Sequence, residues 1–153
     1  MNAEQGMTVR AYRDDQDRDR LADIWLAASR VGHPFFVEKE LLDQQAEVRN
    51  VYLRQGENWV VEDGGRQMGF IGLIDNFIGG LFVDPSAHGG GFGKALVLHA
   101  AALKGALDVE IYAANVRAIG FYRRLGFIEV SRGSQDEGGT SREVVVMHRP
   151  APK

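Results

Sequence analysis

The sequence predicts a mixed α/β domain whose single sheet has both hairpin and crossover connections. Two helix-like segments come first, three short apolar runs separated by turn residues follow, and strands and helices then alternate before a final pair of strands. A length of 153 residues suits one domain over residues 1–153, with a loose polar start at residues 1–6. The chain has no cysteine, which excludes disulfide scaffolds, zinc–cysteine sites and cysteine nucleophiles.

The first third of the chain is expected to form a short strand and two helices. The strand covers Thr8–Tyr12, and three aspartates that can act as N-caps precede the first helix. They are Asp14, Asp15 and Asp17. An apolar face at i, i+3, i+4 and i+7 identifies this helix, and Gly32 is expected to end it in a left-handed conformation. A second helix is expected over Val37–Leu53.

The rest of the chain predicts six more strands and two more helices. An antiparallel meander comprises Trp59–Val61, Met68–Ile74 and Phe77–Val83. Two helices follow, at Lys94–Leu103 and Val116–Arg124. The remaining strands are expected at Val109–Ala113, Phe127–Ser131 and Glu143–Met147, with a glycine-rich loop at Gly133–Gly139.

A glycine-rich turn between a strand and a helix is the first candidate site. The segment His88–Gly93 would bring backbone amides and a helix N-terminus close to an anion, typically a phosphate. Ala95 stands where a Walker motif needs Ser or Thr, and Lys94 stands where a Rossmann motif needs Gly. Nucleoside triphosphate hydrolysis and dinucleotide binding are therefore disfavoured. The glycines could also serve only to shape the loop.

Charge and hydropathy exclude several classes of protein. The net charge is −3, whereas nucleic-acid-binding domains usually carry a basic excess. We find no apolar run long enough to cross a bilayer and no export signal, so no membrane association and a cytoplasmic location are expected. Residues 1–80 carry a net charge of −5 and residues 81–153 a net charge of +2.

Two motifs resemble those of the GNAT superfamily of acetyl-CoA-dependent N-acetyltransferases. The first is HGGGFG, with Gly91 and Gly93 at the two glycine positions, although His88 replaces the usual Gln or Arg. The second is ANVRAIGFYRRLGF at residues 114–127, one helix and one strand further on. The resemblance implies a central mixed, largely antiparallel sheet of about seven strands flanked by about four helices. It covers about residues 7–149.

The resemblance also implies how acetyl-CoA would be held. The backbone of the strand that ends at the glycine turn would pair with the pantetheine arm, and an amide there would face the thioester oxygen. Those residues are Leu81, Phe82 and Val83. The turn and helix start would bind the pyrophosphate through His88, Gly89, Gly90, Gly91, Phe92, Gly93 and Lys94. Asn115 would contact the cofactor from the other side.

Two residues are candidates for proton transfer. By resemblance, Tyr122 is the general acid that protonates the departing thiolate, although its helical spacing also fits core packing. Glu110 is the candidate general base, because a carboxylate within a strand is costly unless it is solvated or paired. The alternatives are a solvated or ion-paired Glu110, or a water chain to His33 or Asp75.

The acceptor is expected to be a primary amine. His33, Phe35 and Phe36 would line its pocket, although a lone histidine is more often structural. We expect a small-molecule amine, with a protein N-terminus or lysine as the alternative, and direct transfer in a ternary complex because no cysteine can carry the acyl group. A non-catalytic acetyl-CoA sensor and another phosphate-binding enzyme are the rival classes. No metal is expected, and a homodimer is possible.

Overall fold

The computed structural model describes residues 6–33, 36–137 and 140–153, with the side chains of residues 136, 137 and 140 left out. Within these residues, the strands form one sheet in the order β1-β2-β3-β4-β5-β7-β6. The strands are β1 Met7–Ala11, β2 Glu57–Asp63, β3 Arg66–Ile74, β4 Phe77–Val83, β5 Leu107–Tyr112, β6 Ile128–Glu137 and β7 Thr140–Arg149. The helices are α1 Asp14–Gly32, α2 Glu38–Glu47, α3 Phe92–Lys104 and α4 Val116–Arg124. The predicted mixed sheet of seven strands with four helices is confirmed.

The sheet is antiparallel except at its centre. Strands β2 to β4 form the predicted antiparallel meander, β1 pairs antiparallel with β2, and β7 lies antiparallel between β5 and β6. The chain crosses from β4 through α3 to β5, which makes these two strands parallel. One core lies between the sheet and α3 with α4, and a second lies between the other face and α1 with α2.

The ends of α1 differ from the prediction. Arg13 is the N-cap residue, without a side-chain bond, so the expected aspartate caps are wrong. Asp17 instead accepts a hydrogen bond from the Arg13 backbone N–H at 2.7 Å, from inside the helix. Gly32 is not left-handed: it is the last helical residue, and the chain leaves the helix through His33, whose φ is −129°. The His33 N–H still closes the last turn by donating to the Ser29 carbonyl.

The second predicted helix widens before it ends. After α2, Val48–Tyr52 forms a π-helical segment, and Leu53–Gln55 forms a closing α-helical turn. Leu53 is buried, whereas Leu42 is 47% exposed. Widened turns of this kind are found most often near functional sites.

The predicted glycine-rich loop at the end of the chain is wrong. Residues 133–137 continue β6 and pair with the start of β7, while residues 138 and 139 lie outside the described residues. This part of the sequence is polar, but a β-ladder needs only backbone groups. A cross-strand contact between Arg132 and Glu143, at 2.7 Å, adds to the pairing.

The buried carboxylate of Asp17 joins α1 to strands β1 and β3. Asp17 is completely buried and accepts two bonds of 2.9 Å from the Arg10 guanidinium on β1. It also accepts a 2.9 Å bond from Gln67 on β3. Burial raises the pKa of Asp17, but the bonds from Arg10 and Gln67 and from the Arg13 N–H outweigh it, so the pKa lies below its usual value. The ionised carboxylate therefore stabilises the fold.

Replacing Asp17 with Asn is expected to lower the free energy of unfolding by about 3 kcal/mol, because the partly buried Arg10 guanidinium loses the charge of its completely buried partner. In the wild type, the unfolded state binds more protons than the folded state once the pH falls to about 4, the ordinary Asp pKa, so stability should decline below that pH. Asp17→Asn should remove this part of the decline. Urea denaturation between pH 3 and 7 measures both effects.

Asp43→Asn is the matched control for this measurement. Asp43 contacts Lys39 in an exposed i,i+4 pair, so its replacement should change the free energy of unfolding by less than about 0.5 kcal/mol. Equal effects of the two substitutions would contradict a structural role for Asp17.

Candidate active site

The centre of the sheet is split between β4 and β5. These strands pair only at Phe77 with Asp108 and at Ile78 with Val109. Gly79 on β4 has no partner in the ladder with β3, which makes it a bulge, and bulges turn a strand away from its neighbour. The strands therefore diverge and leave a slot of about 360 Å³, bounded by the later residues of both strands. Backbone groups of β4 that face this slot have no strand partner among the described residues.

The bulge depends on small residues. A Cβ added at Gly80 would lie 2.5 Å from the Phe82 ring, so glycine there allows the ring to fold back along its own strand. The Phe82 ring packs against Phe70 and Trp25 on the α1–α2 face of the sheet, with centroid distances of 5.4 and 6.0 Å. The direction of β4 beyond the bulge is thus fixed by core packing.

The segment between β4 and the glycine turn is bound to α1 through hydrogen bonds from Arg20. Arg20 donates to the Asp84 carboxylate at 2.8 Å and to the Gln67 carbonyl at 3.0 Å. Asp84 also accepts bonds from the N–H and hydroxyl of Ser86, which shapes a 3₁₀ turn at Pro85–Ala87. The bond from Arg20 is the main reason that the pKa of Asp84 falls to about 2. Asp84 is therefore ionised at neutral pH.

The N-terminus of α3 opens into a cleft of about 510 Å³. Gly91 is the N-cap residue with φ +85°, and no side chain caps the helix. The first-turn N–H groups have no partner within an α-helix and carry the positive end of its dipole. Gly93 lets α4 approach, because a Cβ there would lie 3.1 Å from Phe121. The geometry at the predicted place is therefore suited to an anion.

The predicted cofactor residues differ in how they meet this cleft. It is lined by Leu81, Phe82, Val83, His88, Gly89, Gly91, Phe92, Gly93, Lys94 and Asn115. Gly90 does not line it, and its N–H is already used, because it donates to the Ala87 carbonyl. The Phe92 ring is buried in the core, so only the backbone of Phe92 is suited to hold an anion.

Two cations on α4 were not predicted. Arg117 and Arg124 line the cleft together with Lys94, and none of the described residues that line it is acidic. The two arginines lie seven residues apart and so share one face of the helix. That spacing was visible in the sequence, but which face of α4 meets the cleft was not. The cleft is suited to a polyanionic ligand.

Tyr122 lies between the cleft and the slot and lines both. It is 5% exposed, and its ring packs edge-on against Phe121 and Phe127, with centroids 5.1 Å away in each case. Burial raises the pKa of its hydroxyl, because the phenolate would be poorly solvated. The hydroxyl therefore remains a proton donor at neutral pH, and the packing role and the donor role are compatible.

Glu110 lines the slot from the other face of the sheet. Its neighbours Val109 and Ile111 are buried in the α3–α4 core, so Glu110 and Tyr112 point the opposite way. Glu110 is exposed, as the solvated alternative predicted. Asp75 lies in the β3–β4 turn and is not among the residues that line the slot.

His33 and Tyr112 line one side of the slot, whereas Phe36, also expected there, packs against both rings without lining the slot. His33, Phe36 and Tyr112 form a triangle of edge-to-face contacts, with centroids 5.4 to 6.0 Å apart. The Arg142 guanidinium of β7 lies 4.6 Å from the centre of the Phe36 ring. Phe35, which we also expected here, lies outside the described residues.

Asn115 has a structural task at the same place. Its carboxamide oxygen accepts a 3.2 Å bond from the Ala118 N–H and so caps α4. The residue also lines both the cleft and the slot. Its side-chain NH₂ group is therefore the polar group that is available to a ligand.

Among the described residues, no group of three or more His, Asp or Glu side chains is arranged to hold a metal ion. No described helix is long and apolar enough to cross a membrane.

Comparison with known proteins identifies the family. Residues 54–129 match the model of the acetyltransferase (GNAT) domain. The chain is 36% identical, over 118 residues, to the peptidyl-lysine N-acetyltransferase YiaC of Escherichia coli, covering 76% of this chain and 81% of YiaC. The structure matches the solution structure of apo YjaB from Escherichia coli with a TM-score of 0.84 and 25% identity, covering 95% of this chain and 99% of YjaB. It also matches a PaiA N-acetyltransferase from Thermoplasma acidophilum, in complex with coenzyme A, with a TM-score of 0.74 and 15% identity, covering 94% and 98% of the two chains.

The split sheet, the glycine turn and these similarities define an acetyl-CoA-dependent N-acetyltransferase. The chain belongs to the GNAT acetyltransferase family. The resemblance stated from the two motifs is thereby confirmed.

Replacing Gly91 with Ala tests the turn. A left-handed φ costs a residue with a side chain about 1 kcal/mol, and relaxation of this strain would redirect the first-turn amides. We expect a small loss of thermal stability and weaker binding of coenzyme A, measured by calorimetry. Gly133→Ala on β6 is the control, since a Cβ there meets nothing within 4 Å and its φ is not positive. Unchanged coenzyme A binding in Gly91→Ala would show that the turn does not hold the ligand.

Proposed function

We propose that this enzyme transfers an acetyl group from acetyl-CoA to the side-chain amine of lysine in proteins. The main support for acetyl transfer is the slot between β4 and β5. It connects the cationic cleft on one face of the sheet with Glu110 and the aromatic wall on the other face. Similarity to relatives named peptidyl-lysine N-acetyltransferases supports the acceptor. These names support the lysine alternative better than the small-molecule amine that we expected first, so the proposal adopts lysine.

In this proposal, the cleft holds the donor. The first-turn amides of α3 and the side chains of Lys94, Arg117 and Arg124 bind the phosphate groups. Unpaired backbone groups of Leu81–Val83 bind the pantetheine arm as an added strand would. Acetyl-CoA supplies an acyl group already activated as a thioester.

The protein residues then move two protons. Glu110 takes a proton from the lysine ammonium, directly or through water, which frees the nitrogen lone pair to form the new C–N bond. A backbone N–H of β4 donates to the carbonyl oxygen as negative charge develops there. The nitrogen of the tetrahedral intermediate carries two protons and a positive charge, and it loses one proton to water as the C–S bond breaks with its electron pair on sulfur. Tyr122 donates its hydroxyl proton to the departing thiolate and is reprotonated by solvent, and Glu110 releases its proton to solvent.

His33 and Phe36 form the acceptor wall in this proposal rather than acting on protons. Their ring contacts with Tyr112 fix the wall against β5, next to Glu110. The cytoplasmic location and the homodimer expected from the sequence stay predictions.

Replacing Tyr122 with Phe is expected to lower kcat by about 100-fold or more, the range for removal of a general acid, with little change in acetyl-CoA affinity. The assay measures thiol release with a blocked lysine peptide as acceptor. Tyr12→Phe is the control, because its hydroxyl donates to Asp14 on α1 and the residue lines neither the cleft nor the slot. A Tyr122→Phe enzyme with full kcat would remove Tyr122 as the acid.

The acceptor itself is tested by competition between classes of amine. Blocked lysine peptides, peptides with free N-termini, polyamines and arylamines are compared by kcat/KM. We expect lysine peptides to rank first. If acetyl-CoA binds but no amine is acetylated, a non-catalytic sensor becomes the better description, and if another amine class ranks first, the lysine assignment is wrong.

A further inference from the structure

A second cavity lies beside the slot on the α1–α2 face of the sheet. It has a volume of about 490 Å³ and extends from the π-helical segment after α2 to β3 and β4. Gly79, Gly80 and Phe82 line both this cavity and the slot. The two spaces are therefore neighbours across one strand, with the Phe82 ring between them.

The walls of this cavity are aromatic. Trp25, Tyr52, Phe70 and Phe82 supply them. Trp25 and Phe70 are almost fully buried, whereas Tyr52 is 60% exposed and stands at the entrance. Rings arranged in this way pack against alkyl chains and attract cations to their faces.

A buried hydrogen-bond acceptor lines the cavity, the side-chain oxygen of Asn58. The side-chain NH₂ of Asn58 donates to the carbonyls of Tyr52 and Leu53, at 3.2 and 3.3 Å. Because both partners are acceptors, the amide orientation is fixed and the oxygen Oδ1 points the other way. It stands beside Gly72, where a Cβ would come within 2.9 Å of it. Asn58 is only 8% exposed, and its oxygen accepts no hydrogen bond within the described part of the chain.

Charge points to the same kind of ligand. Glu47, at the end of α2, lines the cavity and is exposed. Glu57 lines it only near its backbone, because its carboxylate binds Lys104 and Trp59 on the other face of the sheet. No Lys, Arg or His is among the described lining residues. The cofactor cleft has the opposite character, with three cations and no acid.

We propose that this cavity is a subsite for a second cationic side chain of the protein acceptor, which extends the proposed lysine acetylation to a preference for basic neighbours. Adjacent strands are about 4.8 Å apart, and side chains two residues apart in an extended peptide are separated by about 6.6 Å. An arginine or lysine two positions from the reacting lysine therefore reaches the cavity when the lysine enters the slot. Its stem packs on Trp25 and Tyr52, and its charge faces Glu47 and the Asn58 oxygen.

Two peptides test the preference. One is Gly-Arg-Gly-Lys-Gly-Arg-Gly with both ends blocked, and the other carries neutral citrulline in place of each arginine. The wild type should acetylate the arginine peptide with a kcat/KM about fivefold higher, the effect of one partly exposed ion pair. Glu47→Gln should abolish this difference. Asp43→Asn removes the same charge from the same helix outside the cavity and should preserve the difference.

A binding measurement separates this subsite from the catalytic proposal. n-Propylguanidinium, which mimics the arginine side chain, should shift the NMR signal of the Trp25 indole N–H in the wild type and in Asp43→Asn, but not in Glu47→Gln. Trp59→Phe assigns the signal, since the chain has two tryptophans.

The outcomes are distinct. Equal acetylation of both peptides by the wild type overturns the subsite and leaves lysine acetylation standing. If neither peptide is acetylated, lysine acetylation fails, and the Trp25 signal decides the subsite alone: a shift that depends on Glu47 supports a cation site, and no shift overturns it.

Discussion

The pairing of β4 with β5 stops after two residues, and the remainder of the site depends on that loss. A sheet that stayed paired would leave neither free backbone on β4 nor a passage between its two faces. The Gly79 bulge turns β4 away, and the Phe82 ring holds the new direction by packing against Phe70 and Trp25. The space for the reaction therefore exists because β4 and β5 stop pairing, and packing of the core keeps the two strands apart.

Charge is separated across the sheet. The cleft on the α3–α4 side collects cations, while Glu110 and Glu47 lie on the α1–α2 side. The sequence shows a weak form of this separation, an acidic first half and a basic second half. Folding increases this separation of charge. The crossover through α3 places basic residues of the second half around the donor cleft, whereas the acidic helices α1 and α2 cover the opposite face of the sheet. A polyanion and an ammonium can then approach from opposite faces without competing for the same groups.

The sequence predicts the parts of this site that rest on local patterns. The glycine turn and α4 follow from residue spacing, and the three strands of the meander follow from apolar runs between turn residues. The bulge does not, because it arises from how Gly72 and Gly80 pair across two strands. The polar extension of β6 beyond Ser131 was missed because ladder bonds are made by the backbone, which no side-chain pattern reports. Arg117 and Arg124 were missed because only the packing of α4 shows which of its faces meets the cleft.

Helix α1 contributes to the site through both of its ends. Near its start, Asp17 binds Arg10 and Gln67, and Arg20 holds the glycine turn through Asp84. At its far end, His33 meets Tyr112 beside the slot. The same end of the helix also lines the donor cleft, through Ala28, Val31, Gly32 and His33. Substitutions there therefore act on the acceptor wall and on the donor cleft at once, so evolution or engineering toward a new amine at this end has to preserve the fit to the acyl donor.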